Sequence, residues 1–364
     1  YSFCATAGCA NTPLGALIID SSGNLYGTLS VGGANGSGGE VYELVKPAMG
    51  NNYTFVDIYD FCTTTSGSVC TDGNQSRAGL TYAGQSAGND YNGTALLFGN
   101  TLTGGSSNLG TVFALQLSGG TWSQKVIHSF AGPTSDGSNP SSSMWMDASN
   151  NLWGTTVRGG SADKGSAFEL TPGANQWTNA WTETLLYNFC WTNVAKCPDG
   201  NAPGGIVLDG SGNIFGAAEF GGNGPATAGN GVVFELTNGS CTEGGVATFW
   251  CNTVEHNFCS VTNCTDGELP DQTASLVMDG SGNLFGATML GGTGAGGFPG
   301  GGIAYELNGV TFTKLYDFCT AASCGDGENP KGSVIIDASD DVYGVTGTGG
   351  DATNQAGVVY ELTP

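Results

Sequence analysis

The chain has 364 residues, and its 31 Asp and Glu against 8 Lys and Arg give a formal net charge of −23. That balance, with the basic residues scattered singly, excludes nucleic acid and anionic membrane surfaces as partners, and no apolar run of about 18 residues exists for membrane insertion. The 64 Gly would suit a low-complexity tail, but 39% hydrophobic and 10% aromatic residues argue for a packed core.

Read from the N-terminus, the chain opens on Tyr1-x-Phe3 and then runs through one set of phrases. An apolar run ends in an acid, Leu17-Ile18-Ile19-Asp20, before the turn Ser22-Gly23-Asn24. Next come an aliphatic-aromatic-Gly phrase, Leu25-Tyr26-Gly27, the pair Gly32-Gly33, the triplet Tyr42-Glu43-Leu44 and Tyr59-x-Phe61. The aliphatic-aromatic-Gly phrase recurs six times, centred on Gly27, Gly99, Gly154, Gly216, Gly286 and Gly344, and a Gly-Gly pair always begins five residues later. The acid stands seven residues before that Gly in five copies, at Asp20, Asp147, Asp209, Asp279 and Asp337. The second copy has Asn92 there and a longer approach, Gly79 to Tyr91. Tyr-x-Phe recurs at Tyr187 and Tyr316, and as His-x-Phe at His128 and His256.

These segments are short, alternating, rich in β-branched and aromatic residues, and bounded by Gly, Asn and Asp, which reads as strands. Each copy supplies four: A ends in the acid, B starts at the aromatic-Gly phrase, C ends in aromatic-Glu-Leu, and D ends in Tyr-x-Phe. Six copies predict one all-β domain over residues 1–364, a six-bladed β-propeller of four-stranded antiparallel blades. The chain begins with a D ending and stops after strand C, so the N-terminal strand is expected to close the last blade. Tyr1 has no strand residues before it, unlike Thr54 to Ile58 or Thr311 to Leu315. Two explanations compete: residues that precede Tyr1 in a longer product, and self-assembly with a neighbouring subunit through the edge Gly357 to Leu362.

Twelve Cys fall into six local pairs: Cys4 and Cys9, Cys62 and Cys70, Cys190 and Cys197, Cys241 and Cys251, Cys259 and Cys264, Cys319 and Cys324. With no CxxC and only two His, disulfides are the stronger reading, and they imply an oxidising, extracellular setting. The pair Cys241 and Cys251 lies between strands C and D and is expected to staple the face opposite the others.

The phrases Asn151-Leu152-Trp153-Gly154-Thr155-Thr156, Gly159-Gly160 and Ala167-Phe168-Glu169-Leu170 resemble the bacterial GloVer-type tandem-repeat proteins. The resemblance runs over nearly the whole chain. It implies an extracellular propeller, secreted or cell-surface, and assigns no catalytic residue.

Function is expected on the D-to-A and B-to-C loops, which share the face of the channel mouth. Rigid exposed rings at Trp191, Phe220, Phe298 and Tyr91, with Arg158 and Glu219, suit stacking on a glycan. Burial beneath the loops is the competing reading. Asp-Gly pairs at Asp72, Asp136, Asp199, Asp266 and Asp326 suggest an acidic ring for Ca²⁺, but Asp-Gly is also a turn, which is the stronger reading. No cofactor is otherwise expected. His128 and His256 sit on outer strands and are poor general acids or bases. No Gly-x-Ser-x-Gly, His-Glu-x-x-His or Walker phrase occurs. Glu219, Asp163, Asp199, Asp266 and Glu268, with Arg77, Arg158, Lys164, Lys196 and Lys331, line the same face, but no spacing singles out two acids. The expected function is therefore a non-catalytic binding or structural propeller, with a polysaccharide lyase or glycoside hydrolase as one alternative and a subunit of an extracellular assembly or filament as another.

Overall fold

The computed structural model describes residues 3, 12–33, 38–50, 52–192, 196–226, 229–239, 241, 250–294, 300–351, 353 and 355–364. Its strands form the six blades of a β-propeller, with no α-helix among the described residues. The chain divides into two compact units, Tyr1–Leu185 and Leu186–Pro364.

In the first unit, one blade takes Ile18–Ile19, Leu25–Leu29, Glu40–Val45 and Thr54–Asp60, paired in chain order. The second takes Leu97–Thr101, Thr111–Ser118 and Thr121–Ser129. The third takes Trp145–Met146, Leu152–Thr156, Ser166–Thr171 and Thr182–Asn188, whose last three residues belong to the second unit. In the second unit, the fourth blade comprises Asn201–Leu208, Ile214–Phe220, Val232–Asn238 and Trp250–Asn257. The fifth has Leu284–Leu290, Ile303–Asn308 and Thr311–Asp317, with Glu268–Pro270 and Val277–Met278 both paired to Leu284–Leu290. The sixth has Glu328–Ile336, Val342–Thr348 and Val359–Leu362. All these pairings are antiparallel.

Four strands in every blade was the expectation, and the second and sixth sheets hold three. In the second copy the Asp turn is missing. Its approach instead makes a 3₁₀ turn at Gln85–Ala87 and pairs with strand B through the single bridge Thr81–Phe98. In the sixth, Val359–Leu362 pairs on one side with Val342–Thr348, and the expected closing strand falls on residues 1, 2 and 4–11, outside the described residues.

Three of the repeated phrases interlock to make the core. Strand B pairs with strand C so that the phrase Gly faces the triplet aromatic: Gly27 opposite Tyr42, Gly99 opposite Phe113, Gly216 opposite Phe234. The ring lies over the Gly, and a Cβ at Gly216 would come 2.5 Å from Phe234 Cζ. The Phe of the preceding Tyr-x-Phe then meets that ring edge-on, as in Phe61–Phe113, Phe130–Phe168 and Phe189–Phe234, with centroids 5.0, 5.3 and 4.9 Å apart. All six of these rings are essentially inaccessible to solvent. Within each unit, rings paired in this way lock neighbouring blades by aromatic area, the largest single hydrophobic contribution a side chain makes.

The acid ending strand A caps its own turn. Asp20 accepts from the amides of Ser22 and Asn24 at 2.8 and 2.9 Å, and Asp147, Asp209 and Asp279 repeat the pattern. These are Asx-type turns.

Five of the expected disulfides are present, Cys62–Cys70, Cys190–Cys197, Cys241–Cys251, Cys259–Cys264 and Cys319–Cys324. Cys4 and Cys9 lie outside the described residues. No helix among the described residues is long and apolar enough to cross a membrane.

Candidate functional site

The invariant Gly-Gly spacing is explained by how the two sets of loops meet. The second Gly donates its amide to a carbonyl of the D-to-A loop: Gly105 to Cys70 at 2.9 Å, Gly222 to Cys197 at 3.0 Å, Gly292 to Cys264 at 2.9 Å and Gly350 to Cys324 at 2.8 Å. In the third copy, which has no Cys pair, Gly160 donates to Asp136 at 2.9 Å. The first Gly has no room for a side chain. At Gly221, with φ +94°, a Cβ would come 2.5 Å from the Cys197 carbonyl oxygen. Within each unit this stitches the B-to-C turns to the D-to-A loops.

The Asp of each Asp-Gly pair organises its loop. Its carboxylate accepts a backbone amide from the far side of that loop: Thr63 for Asp72, Ala131 for Asp136, Cys190 for Asp199, Ser260 for Asp266 and Thr320 for Asp326, at 2.7 to 2.9 Å. It also takes the polar tip of strand D. Tyr59, Tyr187 and Tyr316 donate to Asp72, Asp199 and Asp326 at 2.9, 2.9 and 3.0 Å. His128 and His256 stand there in the other two copies, with Nε2 3.3 and 3.7 Å from Asp136 and Asp266. These hydrogen bonds hold the Asp326 carboxyl below the usual carboxylate range, against the opposing effect of burial. The five carboxylates thus have a turn role, each within its own loop. That Tyr-x-Phe and Asp-Gly are partners escapes the sequence because the stretch between them varies in length.

The residues expected to carry a ligand divide sharply. Trp191 is 38% exposed beside the Cys190–Cys197 disulfide. Phe220 is half-buried at the end of its strand, opposite Asn201 and just before the Gly221-Gly222 turn that meets the same loop. Tyr91 is a correction: it is fully buried, edge-on to Tyr26 and Tyr82, with its hydroxyl on the Ala95 carbonyl at 2.8 Å. Its ring fills the core where the second copy has lost the Asp turn, so it offers no stacking surface. Arg158 is exposed and faces Asp163 at 3.7 Å, a surface pair of small energetic weight. Phe298 lies outside the described residues.

Glu219 has more chemistry than its spacing reveals. It stands three residues after the phrase Gly, where the other copies carry Ser30, Leu102, Val157, Met289 and Gly347. Burial, then the nearby Asp271 carboxylate, pushes its carboxyl up to about 7, with Lys331 opposing. Its Oε2 is buried without a hydrogen-bond partner among the described residues. Asp271 is fixed by Thr273, through amide and hydroxyl at 2.9 and 2.8 Å, and by the Gly332 amide at 3.1 Å. Asp271 and Lys331 occupy one repeat position, five after the Asp of Asp-Gly, which Arg77, Ser141 and Gly204 fill in other copies. The first strands that carry this position lie side by side, with Gly205 bridged in parallel to Ser275. The group combines a carboxyl that titrates near neutrality, an anchored carboxylate and an ammonium. It can exchange a proton or hold a polar ligand.

Two further clusters lie in the first unit. Glu40, Asp57 and Asp60 bring carboxylate oxygens within 4.8 Å of one another, and burial followed by mutual repulsion pushes Glu40 up to about 7 and Asp57 to about 6. The fifth blade fills the positions of Asp57 and Asp60 with an ion pair, Lys314–Asp317 at 2.8 Å. His128, Asp136 and Glu183 form the other cluster, with one donor atom from each within 4.8 Å of the rest.

The family model of the Gloeobacter/Verrucomicrobia repeat matches residues 91–249. No curated protein matches it. Among solved structures it is similar to PorZ, a surface component of the type-IX secretion system of Porphyromonas gingivalis, at 14% identity and TM-score 0.50 over 96% of this chain. The chain spans about 40% of that protein's length. It is also similar to an α-L-arabinofuranosidase of Fusarium graminearum, at 14% identity and TM-score 0.51 over 99% of this chain and 95% of that one. An α-L-arabinanase of Penicillium chrysogenum is similar at 14% identity and TM-score 0.50 over 95% and 91% of the two chains. Likeness at this level speaks to the fold alone.

Proposed function

We propose that this protein is an extracellular propeller that binds saccharides on the loop face of its second unit, through Trp191, Phe220 and the polar group Glu219, Asp271 and Lys331. The observation that carries this reading is Trp191, an exposed indole beside a disulfide, on a loop stitched to the turn that follows Phe220. An immobilised ring stacks on a pyranose or furanose face with little loss of conformational entropy. The disulfides suit an oxidising compartment. The similar structures that carry arabinobiose make arabinan and arabinobiose sensible members of a first panel.

Calorimetric titration of the native protein with that panel, extended to xylan, pectate and alginate oligosaccharides, tests the proposal. Binding to at least one saccharide, weakened tenfold or more by Trp191→Ala, is the expected result. Absence of binding throughout the panel, or binding indifferent to Trp191, defeats it. Glu219 favours a second reading, turnover at the same place, because a carboxyl poised near neutral beside a fixed carboxylate is what acid–base cleavage requires. The same panel assayed for new reducing ends and for unsaturated uronate decides between the two. Turnover abolished by Glu219→Gln would make the protein an enzyme.

A further inference from the structure

Two copies of the repeat place a histidine where the others place a tyrosine, and the neighbouring blade treats the two differently. The residue of the next blade that faces this position lies four before its own Tyr or His, and in chain order it is Gln124, Glu183, Asn252 and Phe312. Gln124 and Asn252 donate to the carbonyls of Asp72 and Asp199 at 2.9 and 3.3 Å, beside Tyr59 and Tyr187. Phe312 stacks flat on His256, with centroids 3.8 Å apart and planes 7° from parallel. Glu183 instead faces His128 with a carboxyl group. Its Oε1 is buried without a hydrogen-bond partner among the described residues, and His128 Nε2 is buried with Asp136 Oδ2 3.3 Å away.

The loop concerned differs as well. Those after Phe61, Phe189, Phe258 and Phe318 each contain a disulfide, whereas residues 131–136 after Phe130 contain no Cys. Among the described residues, the staple is missing at the loop where imidazole and two carboxyl groups converge.

We infer that His128, Asp136 and Glu183 bind one divalent first-row transition ion, of the Zn²⁺ type, which pins the second blade to the third where the other loops use a disulfide. Imidazole with two carboxylates is a donor set that suits Zn²⁺, Co²⁺ or Mn²⁺, and a lone imidazole disfavours Ca²⁺ and Mg²⁺. Around a tetrahedral ion with bonds of about 2.1 Å, donor atoms stand about 3.4 Å apart. His128 Nε2 and Asp136 Oδ2 are already 3.3 Å apart, and the Glu183 donor lies within 4.8 Å of both. The supporting shell is also in place. Asp136 Oδ2 and Oδ1 accept from the amides of Ala131 and Gly137 at 2.7 and 2.6 Å, and the His128 ring is held edge-on to Phe130 at 4.6 Å. Such contacts fix ligand orientation. A water completes the fourth position. The ion binds to the folded chain and not to the unfolded one, so it stabilises by mass action.

The test uses the native, unreduced protein stripped with a chelator. Titration with Zn²⁺ and with Co²⁺ is followed by calorimetry, by the thermal midpoint and, for Co²⁺, by its visible absorption. One ion per chain with a dissociation constant below about 10 µM, and a midpoint raised by several degrees, is expected. Glu183→Phe copies the stack that His256 already makes with Phe312, so it should fold, and it should weaken binding tenfold or more. His128→Gln should do the same, while His256→Gln should leave binding unchanged. No saturable binding below millimolar Zn²⁺ or Co²⁺ would overturn the proposal. So would binding that survives Glu183→Phe, or Ca²⁺ raising the midpoint as much as Zn²⁺ does.

Discussion

The loops after Phe130 and after Phe258 occupy the same place in the repeat, and they differ in how they are held. Both begin at a histidine over an aspartate, His128 over Asp136 and His256 over Asp266. One is closed by Cys259–Cys264 and roofed by Phe312; the other lacks a disulfide and is roofed by Glu183. The repeat sets a frame of backbone and rings, and single substitutions at fixed places in it decide the chemistry. Glu219, in a position otherwise filled by apolar or small residues, makes the same point in the second unit.

The largest effect should be common to both sides. Phe130 and Phe258 are fully buried between blades, so Phe130→Ala and Phe258→Ala should each cost about 3–5 kcal/mol of unfolding free energy in denaturant titration. A cost below about 1 kcal/mol on either side would mean that the aromatic interlock is not what joins the blades.

Reduction should separate the two loops. Opening Cys259–Cys264 frees a short closed loop, a change of about 2 kcal/mol in the chain-entropy account. Hydrogen exchange under mild reductant should accelerate at residues 259–267 and stay constant at residues 131–137. Equal acceleration in both would show that the disulfide is not what distinguishes them.

The pH response should have opposite signs. In the metal-free protein Glu183 is raised to about 7, chiefly by burial and then by Asp136. The folded state therefore holds a proton that the unfolded state releases near 4.5, and stability present below that pH is lost as pH rises to about 7. His256 is lowered from 6.5, by burial against the pull of Asp266. Its contribution is present above that value and is lost as pH falls. Exchange protection at residues 131–137 should thus decline from pH 4.5 to 7, and at residues 259–267 should improve toward pH 7. Glu183→Gln should flatten the first trend only; a trend unchanged by that substitution would assign it to another group, with Glu40 and Glu219 the first to examine.

Much of the fold was legible in advance because its determinants are local and repeated. Gly216, Gly221, Phe234 and Phe258 can each be assigned a strand or a turn from spacing alone. The three-stranded second sheet was foreshadowed by the loss of its Asp turn, but the fate of Tyr91 was not. An aromatic next to an irregular loop reads equally well as a stacking platform or as core, and only packing against Tyr26 and Tyr82 decides. The site was less legible for a related reason. Glu183 meets His128 across a blade boundary, and Glu219 meets Asp271 and Lys331 from three different blades, so no sequence spacing encodes either group. Their visible trace is a titratable residue at a repeat position that other copies leave apolar, aromatic or neutral.

Saccharide binding is assigned to one face of the second unit, and footprinting by hydrogen exchange reads that face. The native protein is compared with and without the tightest-binding member of the saccharide panel. Slower exchange confined to residues 189–192, 196–201, 219–224, 270–273 and 330–332 is the result expected here. Slowing at the opposite turns, around Gly212, Gly282 and Asn308–Thr311, with residues 189–224 unchanged, would contradict it.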